Sequence, residues 1–312
     1  MKGKKLAKKI FPVLTAVFTV IVIYFLYQVF SKIDWEKVVL AIQELSAGTL
    51  ALCLAMVFVN YLILSTYDYM GFRYLRTQKL SYLKTAATAL ISYAFNFNLG
   101  ALIGGLGFRI RMYSGWGIPK KTTTMIALLS VGTTWLGFTL LSSIFILAKA
   151  EWLPQRLFEH SLTLKLLSIL ALVIVGVYFI FCKQRKVLKL KGRTLTAPPL
   201  SYAFIQSFLA ISQWSLASFI AFTFMREMEL NISYPQALFT FLAASLGGVV
   251  ARIPSGMGVL EAIFLKLNEN LPSAPLLAAI ISFRAVYYIV PLMAAIPSYI
   301  AMEIIQRRGP NK

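Results

Sequence analysis

Arg252-Ile253-Pro254-Ser255-Gly256-Met257-Gly258-Val259-Leu260-Glu261 interrupts a hydrophobic segment that runs from about residue 235 to residue 265. A similar interruption, Gly104-Gly105-Leu106-Gly107-Phe108-Arg109-Ile110-Arg111, closes the apolar segment 85–107. A lipid-facing helix should exclude glycine, proline and charge, because freed backbone groups and ions are costly in hydrocarbon. Gly105-x-Gly107 and Gly256-x-Gly258 stand 151 residues apart, about half of the 312-residue chain. Breaks at matching points of two halves point to a binding site between repeats, as in transporters.

The chain is 59% hydrophobic and 13% charged, with a mean hydropathy of +0.74. A soluble domain carries about 25% charged residues, so this composition describes a polytopic membrane protein. The net charge of +20 sits in short loops rather than in a solvated basic domain. It therefore reads as an orientation signal that also attracts anionic lipid, and no nucleic-acid partner is expected. Cys53 and Cys182 are expected at opposite faces of the bilayer and unlinked, and His160 lies in a polar loop. No metal site and no cofactor are expected from this inventory. Nor is an enzyme: Asp34, in a loop, is the one aspartate besides Asp68, and no zinc-protease or phosphate-loop motif occurs.

Lys2, Lys4, Lys5, Lys8 and Lys9 precede an apolar run from about 11 to 30, read as a signal anchor with a cytoplasmic N-terminus. Residues 34–45 have the pattern of an interfacial amphipathic helix. Further apolar segments cover about 50–72, 85–107, 122–147, 163–182, 202–225, 235–265 and 274–302. Were all eight to cross, the basic loops 109–121 and 183–193 would lie outside, against the positive-inside rule. If the two glycine-broken segments are instead re-entrant, the cytoplasmic side gains five basic residues at the N-terminus and four in 73–84. It also gains four in 109–121, six in 183–193 and three at the C-terminus, which makes 22 of the 31 Lys and Arg.

The expected fold is thus all-α, with six full spans plus two re-entrant, broken helices and both termini cytoplasmic. Three spans and one re-entrant element per half invert the second half. This gives an inverted repeat of about 1–150 and 151–312 within a single membrane domain.

Asp68 lies near the cytoplasmic end of its span, where Arg109 or Arg111 is its candidate partner. Arg284 sits about ten residues, or about 15 Å, into the last span. Tyr287 and Tyr288 follow it, and Pro291 frees a carbonyl one turn earlier. Glu261 and Arg252 flank the second break and complete a candidate polar cluster with Arg284. These three are expected deep in the membrane, with Arg109 and Arg111 near the cytoplasmic interface. Gly104, Gly105, Gly107, Pro254, Gly256 and Gly258 are the candidate backbone breaks.

Several stretches together resemble the lysylphosphatidylglycerol synthase transmembrane-region family. They are Asp34-Trp35-Glu36, Tyr93-Ala94-Phe95-Asn96 leading to Gly104-Gly105-Leu106-Gly107, Arg109-x-Arg111-x-Tyr113, Ile253 to Glu261, and Arg284-Ala285-Val286-Tyr287-Tyr288. The resemblance covers nearly all of residues 1–308 and is nearest to standalone members of the bacterial inner membrane. It implies a flippase-like fold with Asp68, Arg109 or Arg111, Glu261 and Arg284 on its polar path. In fused members this region is associated with flipping aminoacylated phosphatidylglycerol. The sequence ends at Lys312 without a soluble aminoacyltransferase domain, so synthase activity is not expected to carry over. The expectation is a protein that binds an anionic or aminoacylated phospholipid and helps move it between leaflets. The alternative is a non-transporting partner or regulator of a lipid-synthesising enzyme.

Overall fold

A computed structural model describes residues 35–77, 80–148, 151, 153, 155–190, 193–251, 253 and 256–308. The expected first span at 11–30, Asp34, and the site candidates Arg252 and Pro254 lie outside the described residues. Six helices are long and apolar enough to cross a membrane, judged by length and composition: Ala47–Leu75, Lys120–Ala148, Ser161–Gln184, Leu200–Glu227, Tyr234–Ala251 and Ser273–Gln306. Five coincide with expected full spans, and Tyr234–Ala251 is the inward arm of the second broken segment.

The elements run α1 (Trp35–Gln43), α2 (Ala47–Leu75), α3 (Tyr82–Leu99), a π-helical turn at Ala101–Gly107, α4 (Phe108–Gly115) and α5 (Lys120–Ala148). Then come α6 (Gln155–Phe158), α7 (Ser161–Gln184), strands β1 (Val187–Leu190) and β2 (Arg193–Thr196), and α8 (Leu200–Glu227). The chain ends with α9 (Tyr234–Ala251), α10 (Val259–Leu267), α11 (Ser273–Arg284), a second π-helical turn at Ala285–Ile289, and α12 (Val290–Arg308). The fold is all-helical as expected, with one short addition: the basic loop after α7 folds as an antiparallel hairpin, Val187 opposite Thr196.

Two faces emerge from the contacts at helix ends. Ser46 caps α2 by accepting from the Thr49 amide at 3.1 Å, and Glu227 at the end of α8 binds the Ser46 amide and the Thr49 hydroxyl. The 29 residues of α2 then carry the chain about 43 Å. At its far end the Tyr74 hydroxyl donates to the Thr196 carbonyl of the β-hairpin. That far face also collects Arg73, Arg76, Lys120, Lys121, Lys183, Arg185 and Lys186 and is here called the basic face. The acidic face holds Glu44, Glu227, Glu229 and Glu269. Cys53 and Cys182 are both free and buried near opposite faces, as expected.

Lipid tails give helices no hydrophobic reason to associate, so close backbones and polar bonds do the work. A Cβ on Gly137 of α5 would stand 2.5 Å from the backbone of Ala210 in α8, which fixes that crossing. Thr133 accepts from Gln206 at 2.6 Å, and Trp214 Nε1 donates to the Thr134 carbonyl at 2.8 Å.

Candidate functional site

The first broken segment is a hairpin that enters and leaves at the basic face. Gly100 turns the chain at φ +81°, a backbone region that L side chains rarely adopt. Past the turn the chain runs back along α3: a Cβ on Gly104 would sit 2.1 Å from the Phe95 carbonyl oxygen. Phe108 stacks on Phe95 with centroids 3.8 Å apart, and Tyr113 reaches the Thr85 carbonyl near the start of α3.

This return arm places Arg109 against Asp68 of α2. Arg109 Nε and Nη2 donate to the two carboxylate oxygens at 2.9 and 3.2 Å. The Tyr113 hydroxyl donates at 2.9 Å and the Ser130 hydroxyl of α5 at 2.8 Å. Asp68 is wholly buried and Arg109 nearly so, with the guanidinium over the Tyr93 ring at 4.4 Å. Arg109 thus takes the partner that the sequence offered it, Asp68. The returning arm carries it inward, two turns from the end of α4. Arg111 is exposed, and its partner is Glu303 of α12, at 2.6 and 2.9 Å. That carboxylate pushes the Arg111 guanidinium pKa up from its already high value.

The second broken segment opens at the acidic face. Gln236 near the start of α9 meets Asn268 just beyond α10, at 3.4 Å. The arms approach at their inner ends, where a Cβ added to Gly248 or to Gly256 would stand 3.2 Å from the other's Cα. Gly258, at φ +78°, is the N-cap of α10, which makes Glu261 the third helical residue. Its carboxylate turns back to the amides of Gly258 and Glu261, the acidic half of a capping box. It also holds Arg284 of α11, whose Nε and Nη2 form a fork on the two oxygens. Nη2 donates again to the Gly256 carbonyl at 2.9 Å. The Tyr288 ring lies 5.6 Å from the guanidinium.

Arg284 is followed by the π-helical turn, and Pro291 explains it. Proline has no amide to give the Tyr287 carbonyl, and its ring crowds that oxygen, so the helix widens. The Tyr287 carbonyl takes the Tyr61 hydroxyl at 3.1 Å, and the Tyr288 carbonyl takes Asn98 Nδ2 at 3.1 Å. The Tyr287 hydroxyl donates to Asn60, and Asn60 donates to the Gln213 carbonyl, each at 2.8 Å. Asn98 belongs to the tip of the first hairpin and Gly256 to the tip of the second. Both tips thus end on residues 284–288 of one helix.

Of the sequence candidates, the structure brings Asp68 to Arg109, and Glu261 to Arg284, Gly256 and Tyr288. Arg111 stands apart from both pairs. Gly104 and Gly105 serve close approach rather than positive φ, and Gly107 has only ordinary contacts. Gly100, Asn60, Asn98, Ser130 and Glu303 were not singled out, although asparagine at membrane depth is itself a signal; Tyr113 was noted only within the Arg109-x-Arg111-x-Tyr113 motif. Among the described residues no three His, Cys, Asp or Glu gather to hold a metal ion.

The family model described as the lysylphosphatidylglycerol synthase TM region matches residues 13–295. The chain is 34% identical to the inner membrane protein YbhN of Escherichia coli, over 96% of this chain and 93% of that protein. It is 27% identical to an uncharacterized protein of Synechocystis, over 89% and 87% of the two chains. A phosphatidylglycerol lysyltransferase of Staphylococcus aureus is 23% identical over 94% of this chain, which corresponds to 34% of that enzyme's length.

Proposed function

This chain belongs to the lysylphosphatidylglycerol synthase transmembrane-region family, and from that premise we propose that it moves an anionic or aminoacylated phospholipid between leaflets. One observation carries the reading: both hairpin tips converge on the Glu261–Arg284 pair and the π turn beside it. Each tip reaches inward from its own face, so the apolar barrier between the faces is thinnest there. A headgroup needs a polar lane while its acyl chains remain in lipid. Arg284 offers a planar fork for phosphate, Glu261 balances it or meets an amine, and Tyr288 supplies a ring face. The exposed Met257 and Ala285 beside the pair leave room on the lipid side.

On the same reading the basic face is cytoplasmic, because short loops rich in Lys and Arg are retained there. The two halves then form an inverted repeat about the tips, the first hairpin entering from the cytoplasm and the second from outside.

The experiment is leaflet exchange of fluorescent phosphatidylglycerol in proteoliposomes. Exchange above that of empty vesicles, lost in Arg284→Gln, is the expected result. Equal rates for protein and empty vesicles would refute transport. One observation favours the second reading, a partner of a lipid-synthesising enzyme: the matched region is a third of a lysyltransferase's length in Staphylococcus aureus. That reading predicts copurification with such an enzyme and no exchange by the protein alone.

A further inference from the structure

A cavity of about 490 Å³ opens on the basic face between α4, the start of α5 and the end of α12. Its size falls in the range of about 300–1,000 Å³ typical of small-molecule sites. Arg111, Ser114, Lys120, Glu303 and Gln306 supply its polar groups. Lys120 is the first residue of α5, whose first turn carries no acidic residue to offset the positive end of the helix. Two cations, a hydroxyl and a helix N-terminus converge there, with Glu303 as the one opposing charge among the described residues.

Glu303 has an unusual place for an acid in such a site. It lies in the fork of Arg111, accepts the Tyr299 hydroxyl at 3.0 Å, and is 17% exposed against 60% for Arg111. A carboxylate in an arginine fork has the geometry of a phosphate in the same fork. The contact also ties α12 to the hairpin, because Tyr299 packs edge-on against Phe108 at 5.1 Å and Gln306 Nε2 bonds the Met112 carbonyl.

We infer that this cavity is an entry site for the phosphate of an anionic phospholipid headgroup, in which Glu303 is an internal stand-in that the phosphate displaces from Arg111. Lys120 and Ser114 complete the phosphate's shell. Displacing Glu303 removes one tie between α12 and the first hairpin, so occupancy at the mouth loosens the helix that also carries Arg284. The inference deepens the lipid-moving reading and rests on it for the source of the phosphate.

The test is calorimetric titration of the full chain in detergent with three probes: dihexanoylphosphatidylglycerol, dihexanoylphosphatidylcholine and inorganic phosphate. The glycerol lipid should bind tightest, since the choline cation opposes Arg111 and Lys120. Glu303→Gln, which removes the competing charge, should tighten its binding about tenfold, the worth of one charge-assisted bond. Arg111→Gln combined with Lys120→Gln should weaken it by about tenfold or more. If Glu303 were only a structural tie, Glu303→Gln would weaken binding or leave it unchanged, which overturns the inference. Inorganic phosphate binding as tightly as the glycerol lipid would overturn the lipid source. Arg284→Gln should keep mouth binding while losing leaflet exchange. Charge-dependent binding without exchange in the wild type would defeat the transport reading and leave the entry site standing.

Discussion

Both broken segments set an acid against an arginine just past a glycine turn, yet the two pairs are built for different purposes. Asp68 gathers four donors from α4 and α5 and leaves no oxygen unspent, so its pair joins three elements and is closed on every side. Glu261 serves first the amides of its own helix start, then one arginine on one neighbouring helix. Its partner Arg284 stands beside exposed positions, with its side chain 12% exposed where Arg109 has 5%. A charge that is fully spent can lock a fold; one that keeps an open side can receive a ligand. On the lipid-moving function proposed above, the first hairpin is accordingly the anchor and the second the working element.

The largest effect that would break this contrast is on stability. Asp68→Ala leaves Arg109 buried without its carboxylate, at a cost of about 3–5 kcal/mol. It should sharply reduce the yield and thermal midpoint of purified protein. Replacing both members, Asp68→Leu with Arg109→Leu, should recover part of that loss, since two apolar groups leave no orphan charge. Glu261→Gln keeps the capping oxygen and should cost only about 1–3 kcal/mol, while still lowering leaflet exchange. Equal melting losses for the two single acid variants would end the distinction between anchor and working element.

The glycines permit a smaller comparison of the same kind. Gly104→Ala drives a Cβ into the Phe95 carbonyl, backbone against backbone, and should cost about 3 kcal/mol. Gly256→Ala meets the Gly248 Cα at a tight 3.2 Å, far less close than the clash at Gly104, and must hold φ +57°, a cost of about 1–2 kcal/mol. Thermal midpoints of the two variants in one detergent should fall in that order.

How far the sequence could show this follows from what hydrocarbon forbids. Glycine pairs and charges inside apolar runs are conspicuous, so both breaks and the pairing of Glu261 with Arg284 were readable. The burial of Arg109 was not readable because it depends on α4, a segment too polar to register as membranous. Phe108–Gly115 is drawn inward by packing along α3 and by the bonds of Tyr113 and Ser130 to Asp68, none of which leaves a periodic trace. The choice between Arg109 and Arg111 depended on the same unseen register. The β-hairpin at 187–196 was hidden because its residues were counted only as charges. Of the π turn, Pro291 was the one visible sign, and it located the freed carbonyl without naming Tyr61 or Asn98 as its remedy.

The smallest predicted effect on stability concerns those remedies. Tyr61→Phe removes the donor to the Tyr287 carbonyl, and Asn98→Ala removes the donor to the Tyr288 carbonyl. Tyr61→Phe forfeits one neutral hydrogen bond and Asn98→Ala two, since Asn98 Nδ2 also donates to the Ala94 carbonyl at 2.8 Å; at about 1 kcal/mol each, melting should move little. The consequence for position is unequal. Tyr61 lies on α2, and Tyr61→Phe keeps its ring against Phe97 of the first hairpin, whereas Asn98 fastens the first tip by hydrogen bond to the helix that continues from Arg284. If the tips must meet for lipid to pass, Asn98→Ala should slow phosphatidylglycerol exchange clearly more than Tyr61→Phe does, at matched stability. Equal slowing would mean that the π turn matters through its own shape and that the first hairpin need not touch it. The anchor would then end at Asp68, and the second hairpin would work alone.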